Sequence, residues 1–256
     1  MQADFLSLPE RPGKPRLTGL THVLDKGIPA PGVRALLETA DDFIDIWKFG
    51  WGTAYLDRQL ADKLALLAEH GVRACLGGTL LEIAWSQGRV EEYFRWAADA
   101  QVPLVEVSCG VMPISRDDKE RLVARAAQSF TVLTEVGSKD PTQQMPPAQW
   151  TREVDADLAA GAWLVVTEGR ESGTVGTYDL AGGVHEDIIE AVVASAGYEH
   201  VLFEAPRKDQ QAWLINRFGP KVNLGNIPLA DIVGLEALRL GLRADTALVP
   251  TRVPAW

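Results

Sequence analysis

Cysteine is nearly absent: Cys75 and Cys109 are the only two in 256 residues. Both sit in apolar runs, and two cysteines do not make the disulfide framework of a small secreted domain. Histidine is as sparse. His22, His70, His185 and His200 are scattered, with no H-E-x-x-H and no Cys/His spacing of a zinc site. No apolar run reaches the roughly 18 residues of a membrane span. Residues 1–14 lack the basic-then-apolar pattern of a secretory signal, so the cytoplasm is the expected compartment. No P-loop, dinucleotide fingerprint, low-complexity tract or dividing linker is found. Positive charge is in deficit: 25 Lys and Arg against 35 Asp and Glu leave a net charge of −10. Such a surface is repelled by nucleic acid and by anionic membranes, so neither is an expected partner. A local cationic pocket for a small anion remains compatible with that global sign.

What is present is a regular alternation. Hydrophobic residues make up 46% and charged residues 23%, enough for a folded core and too apolar for a disordered chain. Short apolar runs fall at 20–24, 43–47, 72–76, 104–107, 131–134, 163–167, 200–203 and 221–224. Several are β-branched and do not alternate, as strands buried on both faces of a parallel sheet require. Helical stretches lie between and after them, at 31–42, 58–70, 90–100, 115–129, 147–160, 185–196, 209–218 and 230–240. Asp57 is placed to cap the second and Gly71 to end it. Ser115 with Asp118 resembles a capping box at the start of the fourth. Eight such units need about 250 residues. The pattern predicts an α/β fold, a single-domain (β/α)8 TIM barrel, over residues 17–256. Residues 1–16, with Pro9, Pro12 and Pro15, read as an extended N-terminal arm. A doubly wound open sheet is the alternative.

In such a barrel the active site lies at the carboxyl ends of the strands. Those positions are rich in charge. Asp25-Lys26-Gly27 follows the first run and Lys48-Phe49-Gly50-Trp51-Gly52-Thr53 the second. Gly77-Gly78-Thr79-Leu80-Leu81-Glu82 follows the third. Four successive strands then end in glutamate: Glu106, Glu135, Glu168 and Glu204. Carboxylates converging on one rim repel each other unless cations join them or some keep their protons. Lys26, Lys48, Lys139, Arg170 and Lys208 can supply part of the compensation, and a hard divalent ion such as Mg2+ can supply more. Ordinary Glu–Lys pairs tying strand ends together are the competing explanation. Gly77-Gly78-Thr79 and Gly225-Asn226 are candidate anion cradles of backbone N–H groups, although glycine pairs also serve simple turns. The eight tryptophans read as packing, except Trp51, which sits in a strand-end loop. His22 reads as a core histidine and Cys109 as an inert thiol.

At these same segments the chain resembles the phosphosulfolactate synthase family. The matching stretches include Lys14-Pro15-Arg16, Asp25-Lys26-Gly27, Lys48-Phe49-Gly50-Trp51-Gly52-Thr53 and Gly77-Gly78-Thr79-Leu80. Further ones are Glu135-Val136-Gly137, Arg170-Glu171-Ser172-Gly173, Glu204-Ala205-Pro206 and Val222-Asn223-Leu224-Gly225-Asn226-Ile227. Together with the 235–243 segment they span nearly the whole chain. The resemblance implies a (β/α)8 fold and a Mg2+-dependent carbon–sulfur lyase. It implies addition of sulfite to phosphoenolpyruvate to give (2R)-2-O-phospho-3-sulfolactate, which in some organisms feeds coenzyme M biosynthesis. The family's catalytic lysine follows strand five. Many members carry two lysines where this chain has Ser138-Lys139, so the role passes to Lys139. Other departures are Cys109 where Asp is frequent and Gly169 where Ala is usual.

The site expected on this basis has Lys139 as general acid, with Lys48 and Arg170 as further catalytic cations. Lys26, Gly78, Thr79, Ser172, Gly225 and Asn226 would bind substrate, and Glu106, Glu135 and Glu168 would hold the metal. Lys139 is expected to have a lowered pKa from neighbouring cations. Three other readings stay open. A Schiff-base aldolase would use Lys139 or Lys48. A relative could add a different nucleophile to phosphoenolpyruvate. The family also has a plant heat-stress branch in which catalysis need not be the role. Homo-oligomerisation is left open.

Overall fold

A computed structural model describes residues 5–140 and 144–247. The first four residues of the expected arm, and residues 248–256 with Trp256, lie outside the described residues. Eight strands alternate with helices: β1 (Thr21–Asp25), β2 (Ile46–Phe49), β3 (Arg73–Leu76), β4 (Leu104–Val107), β5 (Thr131–Val136), β6 (Leu164–Thr167), β7 (Val201–Glu204) and β8 (Asn223–Pro228). Each pairs in parallel with the next, and β8 pairs with β1, so the sheet closes into a barrel. That closure excludes the open doubly wound sheet. The helices are α1 (Ala30–Ala40), α2 (Thr53–Leu56), α3 (Leu60–Glu69), α4 (Gly78–Ser86), α5 (Val90–Asp99), α6 (Arg116–Ala126), α7 (Pro147–Ala159), α8 (Glu186–Ala196), α9 (Lys208–Phe218) and α10 (Ile232–Arg239).

The unalternating strands are explained by two apolar layers. Val23, Trp47, Val105, Val132, Val165 and Phe203 belong to the layer between barrel and helices. Leu20, Ile46, Cys75, Leu104, Leu133, Leu164, Val166 and Leu202 form a separate cluster inside the barrel. Because side chains alternate along a strand, the residue two positions on points the same way. Two steps beyond Ile46, Leu104, Leu133, Val166 and Leu202 stand Lys48, Glu106, Glu135, Glu168 and Glu204. The interior is therefore apolar below and charged at the carboxyl mouth.

Residues 5–16 contain no helix or strand. They are held across the opposite mouth: Lys14 Nζ donates to the Asp41 carbonyl at 2.7 Å and the Arg16 guanidinium to the Asp42 carbonyl at 2.9 Å. Arg11 Nε reaches Glu236 at 2.8 Å on α10.

Several boundaries differ from the sequence reading. β2 begins at Ile46, because Asp41–Phe43 forms a 3-10 turn. Lys48 is thereby inside a strand and not after it. Helices α2 and α4 were not expected. Ser115 caps α6 as expected, accepting from the Asp118 N–H at 3.1 Å. Asp57 does not cap α3. Its carboxylate accepts from the Gln59 N–H at 2.8 Å and pairs with the buried Lys63 ammonium at 2.6 Å. Lys63 also reaches Asp25 at 3.3 Å, so neutralising a buried cation outweighs capping.

Candidate active site

The mouth holds the buried Lys48 and the partly buried Lys139 among four buried glutamates. Lys48 Nζ lies 2.8 Å from Glu106 Oε2 and 3.4 Å from Glu204 Oε1. Lys139 Nζ lies 2.8 Å from Glu135 Oε1 and 3.6 Å from Glu168 Oε2. Backbone donors take the remaining carboxylate oxygens of three of them. The Gly78 N–H donates to Glu106 at 2.9 Å, Arg170 N–H to Glu168 at 2.8 Å, and Gly169 N–H to Glu204 at 2.9 Å. Gly78 opens α4, so the Glu106 carboxylate also sits at the positive end of a helix.

Carboxyls outnumber ammoniums here, and the titration of the group reflects it. Burial raises the Glu168 pKa well above the ordinary range, and the Glu135 and Glu204 charges add to that effect. Burial likewise pushes Glu204 up to about 7, with Lys48 opposing and Glu135 and Glu106 assisting. Glu135 goes the other way: burial disfavours its charge, but Lys139 and Lys48 outweigh burial and hold it down at about 2. Burial would lower both lysines. Glu106, Glu204 and Glu135 reverse this for Lys48, and Glu135 and Glu168 reverse it for Lys139, so both are raised. The lowered pKa expected for Lys139 is thus corrected. Its immediate neighbours are carboxylates, not cations.

Above this ring lies a cavity of about 290 Å³. Of the expected site residues, Lys48, Lys139, Arg170, Gly78, Thr79, Asn226, Glu106, Glu135 and Glu168 line it together. Lys26, Ser172 and Gly225 do not. Lys26 Nζ stands 5.9 Å from the Trp51 ring centre, and Ser172 Oγ bonds Thr174 Oγ1 at 2.8 Å. Gly225 faces the barrel interior, where a methyl group would meet the Leu202 side chain and stand 3.1 Å from His22 Nδ1. Lys208, offered as a compensating cation, pairs with Asp245 at 2.7 Å. Leu24, Trp51, Gly77, Val111, Glu171 and Glu204 complete the lining. Glu204 was legible as the fourth strand-end glutamate, whereas Val111 had no sequence signal.

Three of the four non-glycine residues with positive φ among the described residues line this cavity: Trp51, Arg170 and Asn226. Left-handed backbone at such residues is costly and concentrates where a side chain must be aimed. Asn226 is fixed there by its N–H, which donates to His22 Nδ1 at 3.2 Å. Burial, then Lys48, drives the His22 pKa well down, so the imidazole is neutral and can accept. Asn226 Oδ1 is buried with no hydrogen-bond partner among the described residues. Arg170 forms no ion pair among them either.

The three glutamates expected to hold a metal do not converge. Among the described residues no three His, Cys, Asp or Glu side chains are grouped to ligate an ion. Glu106 is taken by Lys48 and by the α4 N-terminus. Glu135 and Glu168 flank the Lys139 ammonium at 2.8 and 3.6 Å, and Glu168 Oε2 is buried with no hydrogen-bond partner among the described residues. This all-oxygen pair, in a region of surplus negative charge, fits Mg2+, which uses one or two carboxylates and keeps waters.

Comparison with known proteins gives the family. Residues 9–245 match the family model for (2R)-phospho-3-sulfolactate synthase (ComA). The chain is 43% identical over 249 residues to a phosphosulfolactate synthase from Methanothermobacter thermautotrophicus, covering 95% of this chain and 96% of that one. It is 40% identical to the Bacillus subtilis phosphosulfolactate synthase, covering 95% and 98%. Among solved structures, 3-hexulose-6-phosphate synthase from Salmonella typhimurium superposes with a TM-score of 0.55 at 13% identity, over 91% of this chain and 95% of that one, which is a likeness of fold. The chain belongs to the phosphosulfolactate synthase family.

Proposed function

We propose that the cavity binds phosphoenolpyruvate and sulfite and joins them into (2R)-2-O-phospho-3-sulfolactate. The observation that carries this is the pair of lysines, Lys48 buried and Lys139 partly so, held as full cations by a glutamate ring, beneath Arg170, which has no ion pair among the described residues, in a chain of this family. Both substrates are anions, so their approach needs fixed positive charge. The sulfur lone pair forms the bond to the methylene carbon. The displaced π electrons move toward the carbon bearing the phosphate and spread into the carboxylate. Lys48 and Arg170 stabilise that developing charge, and Thr79 and Asn226 orient the phosphate and carboxylate. Lys139 gives its proton to the carbon bearing the phosphate. Its raised pKa keeps it protonated, and the carbanionic centre is a far stronger base. Mg2+ held by Glu135 and Glu168 would add positive charge at the substrate oxygens.

The sequence departures supply no group that would change the nucleophile from sulfite. Neither Cys109 nor Ser138 lines the cavity. Burial pushes the Cys109 thiol up, and Ser138 Oγ accepts from the Asp140 N–H at 3.0 Å in a neighbouring hollow. The test is incubation with phosphoenolpyruvate, Mg2+ and sulfite, followed by mass spectrometry, with other nucleophiles in parallel. A phosphosulfolactate mass with sulfite alone is expected. Its absence sinks the reading. Lys139→Ala should lose about 10²–10⁴ in rate, and near-normal turnover in that variant would remove its role as acid.

A further inference from the structure

Glu82 is a fully buried carboxylate on α4 that takes no part in the ring described above. Among the described residues no lysine or arginine pairs with it. Four other donors converge on it instead. Ser108 Oγ and the Gly110 N–H, the latter at 3.2 Å, donate to Oε1. The Val111 and Met112 N–H groups donate to Oε2, each at 2.7 Å. Every one of these donors belongs to the loop between β4 and α6. A buried carboxylate bonded by several N–H groups is among the stronger polar anchors in a protein, and it holds those groups in one arrangement.

That loop is the wall against which Lys139 lies. Gly110 has no side chain, and a methyl group there would stand 2.6 Å from Lys139 Cδ and 2.8 Å from Cε. The alkyl stem of Lys139 therefore runs directly across the Gly110 backbone before its ammonium reaches Glu135 and Glu168. The next residue, Val111, lines the cavity. We propose that Glu82 is a positioning residue: it clamps residues 108–112 so that Gly110 sets the path of the Lys139 side chain into the cavity. This rests on the proton-donor role given to Lys139 above. Glu82 itself touches no reacting atom.

Glu82→Gln keeps the shape but turns one acceptor into an NH2 donor facing N–H groups. A displacement of Lys139 by about 1 Å costs on the order of 10²-fold in rate. The expected result is a kcat loss of about that size with little change in KM for phosphoenolpyruvate, and faster amide exchange at Val111 and Met112. Gly110→Ala leaves the Glu82 bonds to Val111 and Met112 intact but pushes on the lysine stem. It should lose kcat comparably while those amides stay protected, and it carries the test if Glu82→Gln fails to fold. Because both changes act through one side chain, the double variant should be no slower than the worse single one. Wild-type kcat in either variant overturns the proposal, as do losses that multiply in the double. Unchanged exchange at Val111 and Met112 in Glu82→Gln overturns it too. Lys139→Ala turning over normally would bring down the donor role, and the exchange measurement distinguishes that failure from a missing clamp.

Discussion

Lys48 Nζ lies 2.8 Å from Glu106 Oε2, and both side chains are buried within the barrel mouth. The pair is sealed further by the Gly78 N–H on Glu106 and by Glu204 on Lys48. Breaking such a pair from one side leaves an uncompensated buried charge, which costs about 3–5 kcal/mol. Lys48→Met should lower the unfolding free energy obtained from urea titration by that amount and abolish turnover. Lys48→Met combined with Glu106→Gln should regain stability but not activity. A single variant as stable as the parent would mean that water reaches the pair.

Glu204 gives a pH dependence of stability with a definite sign. Its pKa is pushed from the ordinary 4.5 to about 7 by burial. The folded state thus holds a proton that the unfolded chain releases. The stabilisation is complete below pH 4.5 and is lost as pH rises through 7. Its upper bound is about 3 kcal/mol, at roughly 1.4 kcal/mol per pH unit. Urea titrations at intervals from pH 4.5 to 7.5 should show the parent losing stability relative to Glu204→Gln. Parallel curves for the two proteins would show that Glu204 titrates normally.

The strand-end glutamates were readable because a parallel strand announces itself as an apolar run, and the charge that interrupts the run marks the mouth. The i, i+2 step from Leu104 to Glu106, or from Leu133 to Glu135, then fixes which way each points. What could not be read was which cation meets which carboxylate, since Lys48 and Glu106 are brought together only by barrel closure. Helix α4 was hidden because Gly77-Gly78-Thr79 carries turn chemistry, and the N–H expected to cradle substrate is spent on Glu106. The apolar signal of β8 faded after Leu224, so Gly225 looked like an open loop when it is a strand residue packed on Leu202. Glu82 followed the same glycine segment, but nothing local marks a carboxylate whose partners lie 26 to 30 residues away.

Metal removal separates two functions of the carboxylate pair. Lys139 Nζ already stands 2.8 Å from Glu135 and 3.6 Å from Glu168, so a cation of the chain itself offsets their charge in the fold. EDTA treatment should therefore abolish sulfite addition while leaving the thermal unfolding midpoint nearly unchanged. Readdition of Mg2+ should restore the rate. Full activity in EDTA would exclude the metal from the reaction.

The Schiff-base alternative is decided by the state of the two lysines. An imine forms only from a neutral amine, and lysines used this way have their pKa lowered by desolvation or by neighbouring cations. Burial alone would do that to Lys48 and Lys139. The glutamates reverse it, Glu106 and Glu204 at Lys48 and Glu135 and Glu168 at Lys139, so both remain ammonium ions at neutral pH. Borohydride added to the protein with pyruvate should therefore leave its mass unchanged. An adduct mapped to Lys48 or Lys139 would move the chemistry to an aldolase mechanism, because sulfite addition has no step in which either lysine bonds to carbon.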